Sequence, residues 1–162
     1  MPYLLDANVF IQAKNEYYGF DIAPAFWAWL IDANAAGTVF SVDKVGEELL
    51  AYEDELSEWA KERKRQGNFF LPPDEPVLDA LKDVAAWAQG QSFTDAAVSE
   101  FLAAADYYLV AHALAHNFTA VTQEVFEPAI IRKIKIPNAC QGVGVPWINT
   151  YTMLRTEGVQ LG

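Results

Sequence analysis

The sequence predicts an α/β fold in which helices cover both faces of a central parallel sheet. Short apolar stretches that suit buried strands alternate with longer segments of helical periodicity along the 162 residues, and this alternation is typical of parallel sheets. The first stretch, residues 3–5, is apolar and ends at Asp6, as expected for a buried strand that pushes one carboxylate out at the sheet edge. We find no interdomain linker, so we expect a single domain over residues 1–162.

The first half of the chain predicts three strands and two long helices. After the strand at 3–5 come a short helix or turn at 9–13, an aromatic-rich loop at 15–20 and a helix at 22–36 that stops at Gly37, a common helix terminator. Residues 38–42 form the second strand. Asp43 is a candidate N-cap for one long helix that runs to about residue 66. Residues 69–71 form a brief extended segment before two prolines.

The second half predicts further helices and the remaining strands. Pro76 lies in the first turn of a helix at 74–89, and Thr94 can cap a long alanine-rich helix that continues to residue 116. We expect strands at 119–122 and 130–136, the second of which stops at Pro137. Residues 138–142 form a turn or short helix, residues 143–148 a last strand and residues 150–156 a closing helix.

Composition narrows the classes of function. The net charge of −11 argues against a polyanionic substrate, although seven of the eleven basic residues form two clusters, at 61–65 and 132–135. Such clusters can hold an RNA backbone or an acidic partner, or can be a solvated helix end and strand edge. A lone cysteine, Cys140, excludes an internal disulfide framework. The apolar runs are too short to span a membrane, so we expect a soluble cytoplasmic protein.

Acidic residues recur where the carboxyl edge of the sheet is expected. Asp6 ends the first strand, Glu47 and Glu48 lie one turn into the helix after the second, Asp106 interrupts an apolar helical stretch, and Glu124 follows the strand at 119–122. Two carboxylates about 4 Å apart repel by roughly 4 kcal/mol at a protein-like dielectric constant. A group of them therefore requires protons or cations.

Magnesium or manganese is the expected cation, because hard ions prefer oxygen ligands. Zinc is not expected: His112 and His116 are the two histidines, and we interpret them as surface or helix-end residues rather than ligands. Each acid also has an ordinary interpretation, with Asp6 as a cap and one of Glu47 and Glu48 as a solvated helix residue. Glu48 is the preferred ligand because it lies beside the buried stripe of its helix.

Four segments of the chain resemble PIN domains, and the closest likeness is to a bacterial and archaeal subgroup allied to VapC-type toxins of toxin–antitoxin pairs. The segments are residues 4–8 (LLDAN), 45–49 (VGEEL), 105–113 (ADYYLVAHA) and 121–124 (VTQE). The resemblance implies a PIN-like fold, with a central parallel sheet of about four to five strands sandwiched by helices. It also implies a metal-binding quartet of Asp6, Glu48, Asp106 and Glu124, with Asn8 and Thr122 positioning ligands and water. The chain departs from the family at Glu124, where the usual acid is Asp, and this leaves open whether one or two ions bind.

The function we expect is a Mg²⁺- or Mn²⁺-dependent ribonuclease, the toxin of a toxin–antitoxin pair. The resemblance and the aromatic surplus together suggest an antitoxin segment in an apolar groove around Trp27, Trp29 and Trp59, and a homodimer is possible. One alternative is a catalytically silent PIN-like module that binds protein or RNA. Another is a phosphatase of the haloacid dehalogenase type, which would need a second acid where this chain has Asn8.

Overall fold

The computed structural model describes residues 1–161 and shows, within that range, a five-stranded parallel sheet in the order β3-β2-β1-β4-β5. The strands are β1 (Tyr3–Leu5), β2 (Val39–Val42), β3 (Phe70–Leu71), β4 (Thr119–Val121) and β5 (Trp147–Ile148). This confirms the predicted α/β class and the expected number of strands.

Helices connect successive strands. Their bounds are α1 (Ala7–Gln12), α2 (Pro24–Ala35), α3 (Asp43–Leu50), α4 (Glu55–Gln66), α5 (Glu75–Gln89), α6 (Asp95–Leu102), α7 (Ala105–His116), α8 (Ile136–Val143) and α9 (Thr150–Thr156). A single π-helical turn (Ala13–Tyr17) follows α1. None of the helices within residues 1–161 combines the length and the apolarity needed to cross a bilayer.

The central strand, β1, sets the position of the carboxyl edge. Its three residues are buried, and Leu4 pairs in register with Phe40 of β2 and Ala120 of β4. Leu5 lies opposite Val121, so β1 and β4 end at the same level. Asp6 and Thr122 are the residues that follow β1 and β4. They therefore lie side by side at the edge where open α/β sheets bind their ligands.

The single helix predicted from residue 43 to 66 is wrong, because the chain breaks between α3 and α4. The Asp54 side chain accepts a hydrogen bond from the backbone N–H of Ser57, and the Ser57 hydroxyl accepts one from the backbone N–H of Asp54. This reciprocal pair is a capping box, which starts a new helix. Asp43 is the first residue of α3 rather than its cap.

The continuous helix predicted from residue 94 to 116 is also wrong. Thr94 caps α6 as predicted, accepting from the backbone N–H of Ala97, but the helix ends at Leu102. Ala104 is extended (φ −96°, ψ 159°), and α7 then begins at Ala105. Asp106 consequently lies in the first turn of a helix, where the helix dipole favours a carboxylate.

The strand predicted at residues 130–136 is absent from the described structure. This segment is irregular until α8 begins at Ile136. Strand β4 already pairs with β1 on one side and β5 on the other, so it offers no free edge to a further strand. The segment is held instead by a hydrogen bond from the backbone N–H of Thr94 to the carbonyl of Ile131, 2.9 Å long.

The predicted aromatic groove is wrong as well. Trp27 is only 3% exposed, and its ring packs edge-on against Trp59 with centroids 5.1 Å apart. Trp59 in turn contacts Phe10 and Phe69, while Trp29 is half-buried. Trp27 and Trp59 therefore pack into the core around Phe10 rather than lining a surface groove.

Candidate functional site

Asp6 is a buried carboxylate at the carboxyl end of β1. Asp6 is only 3% exposed. Its backbone N–H donates a hydrogen bond to the carbonyl of Val121 at 3.0 Å. The Thr122 hydroxyl donates to Asp6 Oδ2 at 3.1 Å and accepts from the backbone N–H of Glu124, also at 3.1 Å. Thr122 thus fixes the orientation of Asp6 and the start of the segment that carries Glu124.

An open cleft of about 670 Å³ lies at this edge of the sheet. Acidic side chains from α3, α6 and α7 line it together with two lysines. The polar lining residues are Asn8, Lys44, Glu47, Glu48, Glu100, Asp106, Tyr108 and Lys133. The cleft brings Asn8, Glu48 and Asp106 to one surface, and Glu124 reaches the same region through its contact with Lys133.

The carboxylates share an electrostatic field. Burial, followed by the negative charges of Asp106 and Glu124, raises the pKa of Asp6 well above its usual value. Burial, with the charges of Glu124 and Glu48, raises the pKa of Asp106 to about 6. The two groups are therefore harder to ionise than ordinary aspartates, and a nearby cation would favour their charged forms.

The structure distinguishes Glu48 from Glu47. The charge of Glu48 acts on Asp106, and partial burial raises the pKa of Glu48 itself. Both residues are exposed at the cleft, but Glu47 pairs with Lys44, with Oε2 3.6 Å from Nζ. This geometry supports the preference for Glu48 as the residue that acts together with Asp106.

Glu124 is held by the first residue of α8 and by Lys133 of the segment before that helix. Its Oε1 accepts from the backbone N–H of Ile136 at 3.1 Å, and its Oε2 lies 3.5 Å from Lys133 Nζ. Sequence reasoning placed Lys133 in a basic cluster but gave no sign that it lies beside the acids. The only pattern in that segment was an imperfect alternation, which predicted a strand.

The donor set fits a hard divalent cation, since the converging side chains offer oxygen atoms. Among residues 1–161, however, no three Asp, Glu, His or Cys side chains are arranged as a closed metal-binding group. The cleft is thus an open acidic site rather than a cage. Mg²⁺ suits such a site because it retains several waters and needs only one or two carboxylates from the protein.

The two histidines lie at the other end of α7 from Asp106. His116 Nε2 is 2.8 Å from Asp74 Oδ2, and His112 packs against Phe118 with ring centroids 5.6 Å apart. His112 is buried, which corrects its interpretation as a surface residue, and burial lowers its pKa to about 4. The pair links α7 to the start of α5 and takes no part in the acidic cleft.

Comparisons with known proteins agree with this architecture. A family model described as "Domain of unknown function (DUF4411)" matches residues 3–161. No curated protein matches the chain by sequence.

Three solved structures share the fold over nearly the whole chain. FitAcB from Neisseria gonorrhoeae has a TM-score of 0.54 and 20% identity, covering 92% of this chain and 98% of that one. VapBC2 from Rickettsia felis, bound to a DNA fragment from its promoter, has a TM-score of 0.53 and 14% identity with the same coverage. FitAB bound to the IR36 DNA fragment has a TM-score of 0.52 and 21% identity, covering 91% and 94%. FitB and VapC are PIN-domain proteins, so the PIN-like fold inferred from the sequence is confirmed.

Proposed function

The chain belongs to the DUF4411 family, and we propose that it is a metal-dependent ribonuclease. The observation that carries this proposal is the pair Asp6 and Asp106, two aspartates with raised pKa values that share one anionic field at the carboxyl edge of the sheet. Perturbed carboxylates in a cleft are typical of catalytic and ion-binding sites.

In this proposal Asp6, Glu48, Asp106 and Glu124 hold Mg²⁺ or Mn²⁺. When bound, such an ion supplies Lewis-acid chemistry, which acidifies water and offsets negative charge on a phosphodiester. Its donors are all carboxylates, and their mutual repulsion in the free protein is what the ion would relieve. The site would hold one or two ions. The number depends on how the side chain of Glu124, which is longer than the Asp of related domains, reaches them.

The other residues of the site orient these groups. Thr122 holds Asp6 through its hydroxyl and caps the turn to Glu124 through the same oxygen. Asn8 lines the cleft from the first turn of α1, two residues after Asp6, where its amide can bind a water or a phosphate oxygen. No protein side chain is required as a nucleophile, since the attacking group is water.

RNA is the proposed substrate, and an antitoxin is the proposed regulator. The three related structures are of FitAcB, VapBC2 and FitAB, and the last two are bound to DNA. By analogy, we propose that a partner protein binds this chain and presents a basic side chain to its anionic cleft. Exposed apolar residues such as Ile22 and Val125 leave surface for that partner or for a homodimer. Such a pair would act in the cytoplasm.

Cleavage of labelled RNA and DNA oligonucleotides by the purified chain tests the enzymatic proposal. With Mg²⁺ or Mn²⁺ the wild type should cut RNA, and EDTA should abolish cleavage. Asp6→Asn and Asp106→Asn should each lower the rate about 10²-fold or more, the order seen when one key electrostatic contact is removed. Asp95→Asn, an exposed acid in the first turn of α6, is the matched control and should retain the wild-type rate.

Equal activity in all four proteins would contradict the ribonuclease proposal. Calorimetric titration with Mn²⁺ would then test the alternative of a catalytically silent binding module. That alternative predicts weak Mn²⁺ binding by the wild type and partner binding that survives Asp106→Asn.

A further inference from the structure

Lys133 places an ammonium group inside the acidic cleft. Its Nζ lies 3.5 Å from Glu124 Oε2, and the residue lines the same cleft as Glu48 and Asp106. Its positive charge also acts on the Asp106 carboxyl. Lys133 is thus a cation supplied by the chain itself at the site where the proposed function requires a metal ion.

The backbone on both sides of Lys133 is fixed. On one side the carbonyl of Ile131 accepts from the backbone N–H of Thr94 at 2.9 Å. On the other side Ile134 is buried, and Lys135 Nζ bonds Glu127 Oε1 at 2.8 Å. The irregular segment therefore presents Lys133 to the cleft from a defined position, while the long side chain stays free to reorient.

The contact between Lys133 and Glu124 is weak. The separation of 3.5 Å is long for an ion pair, and the Lys133 side chain is 52% exposed. The Glu124 side chain is only 14% exposed, but solvent reaches the lysine partner and screens the pair, so at this distance it adds little to stability. A carboxylate that also binds a backbone N–H keeps its position without the lysine, so the fold does not depend on the pair.

We propose that Lys133 exchanges partners during RNA binding: it pairs with Glu124 Oε2 in the free protein and binds a phosphodiester oxygen of the RNA when that carboxylate oxygen binds the divalent ion. This inference rests on the proposed ribonuclease function and adds a substrate-binding residue to it. An ammonium is a suitable phosphate ligand because it carries three donors and a compact charge. In the free protein, by contrast, the same group competes with the metal ion for Glu124.

The exchange predicts opposite effects of Lys133→Met on the two ligands. Mn²⁺ affinity, measured by calorimetry without RNA, should increase about threefold to tenfold, because a competing positive charge is gone. The KM for RNA cleavage at saturating Mn²⁺ should rise about tenfold, with a smaller change in kcat, because a charge-assisted phosphate contact is lost. Lys133→Arg should restore the KM, since the guanidinium keeps the charge.

Lys82→Met is the matched control. Lys82 is an exposed residue of α5 that does not line the cleft, so it reproduces the change in net charge without the local effect. Melting temperatures of the variants should equal that of the wild type, which excludes a merely structural role.

The outcomes separate the two proposals. If the wild type cleaves RNA but Lys133→Met behaves like Lys82→Met in both measurements, the Lys133 assignment is wrong and the ribonuclease stands. Weaker Mn²⁺ binding by Lys133→Met also overturns the exchange. If the wild type neither binds Mn²⁺ nor cleaves RNA, the proposed function itself fails, and the phosphate role of Lys133 fails with it.

Discussion

Individual carboxylates in this protein differ sharply in how well the fold accommodates their charge. Asp54 caps a helix and pairs with Lys14, and its pKa is lowered, first by the hydrogen bond from the backbone of Ser57. Asp6 and Asp106 instead have raised pKa values, because burial and like charges outweigh their hydrogen bonds. The fold leaves these two carboxylates without sufficient compensating positive charge of their own, which supports the proposed role of both as ligands of a cation.

Asp106→Asn should stabilise the metal-free protein at pH 7. The pKa of Asp106 in the folded protein is about 6, above the ordinary value of 3.8, so the stability contributed by protonation is fully present below about pH 4 and is lost as the pH rises through 6. At pH 7 the ionised Asp106 then costs on the order of 3 kcal/mol. Asparagine keeps the shape and removes the charge, and denaturant unfolding with EDTA at pH 7 and pH 5 measures the difference.

The same series carries its own control. Asp95→Asn should leave the pH dependence of unfolding unchanged, because that side chain is exposed. A metal-free Asp106→Asn protein less stable than the wild type at pH 7 would contradict the assignment of a repelling acidic cluster.

Glu48 and Glu47 should respond differently to the same substitution. Glu48→Gln should lower RNA cleavage at least about tenfold and weaken Mn²⁺ binding, because the charge of Glu48 acts on Asp106. Glu47→Gln should stay within about twofold of the wild type, since Glu47 pairs with Lys44 and is not among the main charges that act on Asp106. Calorimetry and cleavage rates for the two variants measure this, and the reverse order would assign the ligand to Glu47.

At the scale of elements, helix α8 approaches Trp87 of α5 most closely at Gly142. A Cβ added to Gly142 would lie 2.1 Å from the Trp87 indole. Gly142→Ala should therefore destabilise the protein by about 1–3 kcal/mol, the range for overpacking, despite the better helix propensity of alanine. Gln141→Ala, at the exposed neighbouring position, is the control in denaturant unfolding and should be nearly neutral. Equal stability of the two variants would show that α5 and α8 can separate at no cost.

The elements also show how far the sequence predicts this fold. Apolar stretches at 3–5, 38–42 and 119–122 were recognised because a buried parallel strand is apolar on both faces. The breaks near Asp54 and Ala104 were missed, since helical periodicity continues across them and only a local cap or a turn interrupts it. The strand predicted at 130–136 failed because its alternation cannot reveal that both edges of β4 are already paired.

For the site, reasoning from strand ends found the acids but not their partners. Asp6 directly follows β1 and Glu124 lies three residues beyond the end of β4, so their position near the sheet edge follows from topology. Lys133 follows no strand, and its approach to Glu124 depends on a segment held by distant contacts such as that of Ile131 with Thr94. Contacts of this kind are set by tertiary packing and leave no periodic signal in the sequence.

At the scale of the whole molecule, a net charge of −11 opposes the approach of RNA, and the acidic cleft adds to that repulsion locally. Lys44 and Lys133 lie in the cleft and offset part of it. A divalent cation would neutralise more of the charge at the point where a phosphate must enter. Ion binding and substrate binding should therefore be linked, with the ion binding first.

Addition of Mn²⁺ should raise the melting temperature of the whole protein at pH 7. A ligand that binds only the folded state stabilises it by about 2.7 kcal/mol at a free concentration of 100 times its Kd. The shift should shrink at pH 5, because Asp106, with a pKa of about 6, then holds a proton that the ion must displace. Thermal denaturation without Mn²⁺ and with Mn²⁺ at about 100 times its Kd measures the shift. Higher concentrations add little, because the stabilisation grows only with the logarithm of the ion concentration. Asp106→Asn should show a reduced shift at both pH values, whereas an equal shift in that variant would place the ion elsewhere on this acidic protein.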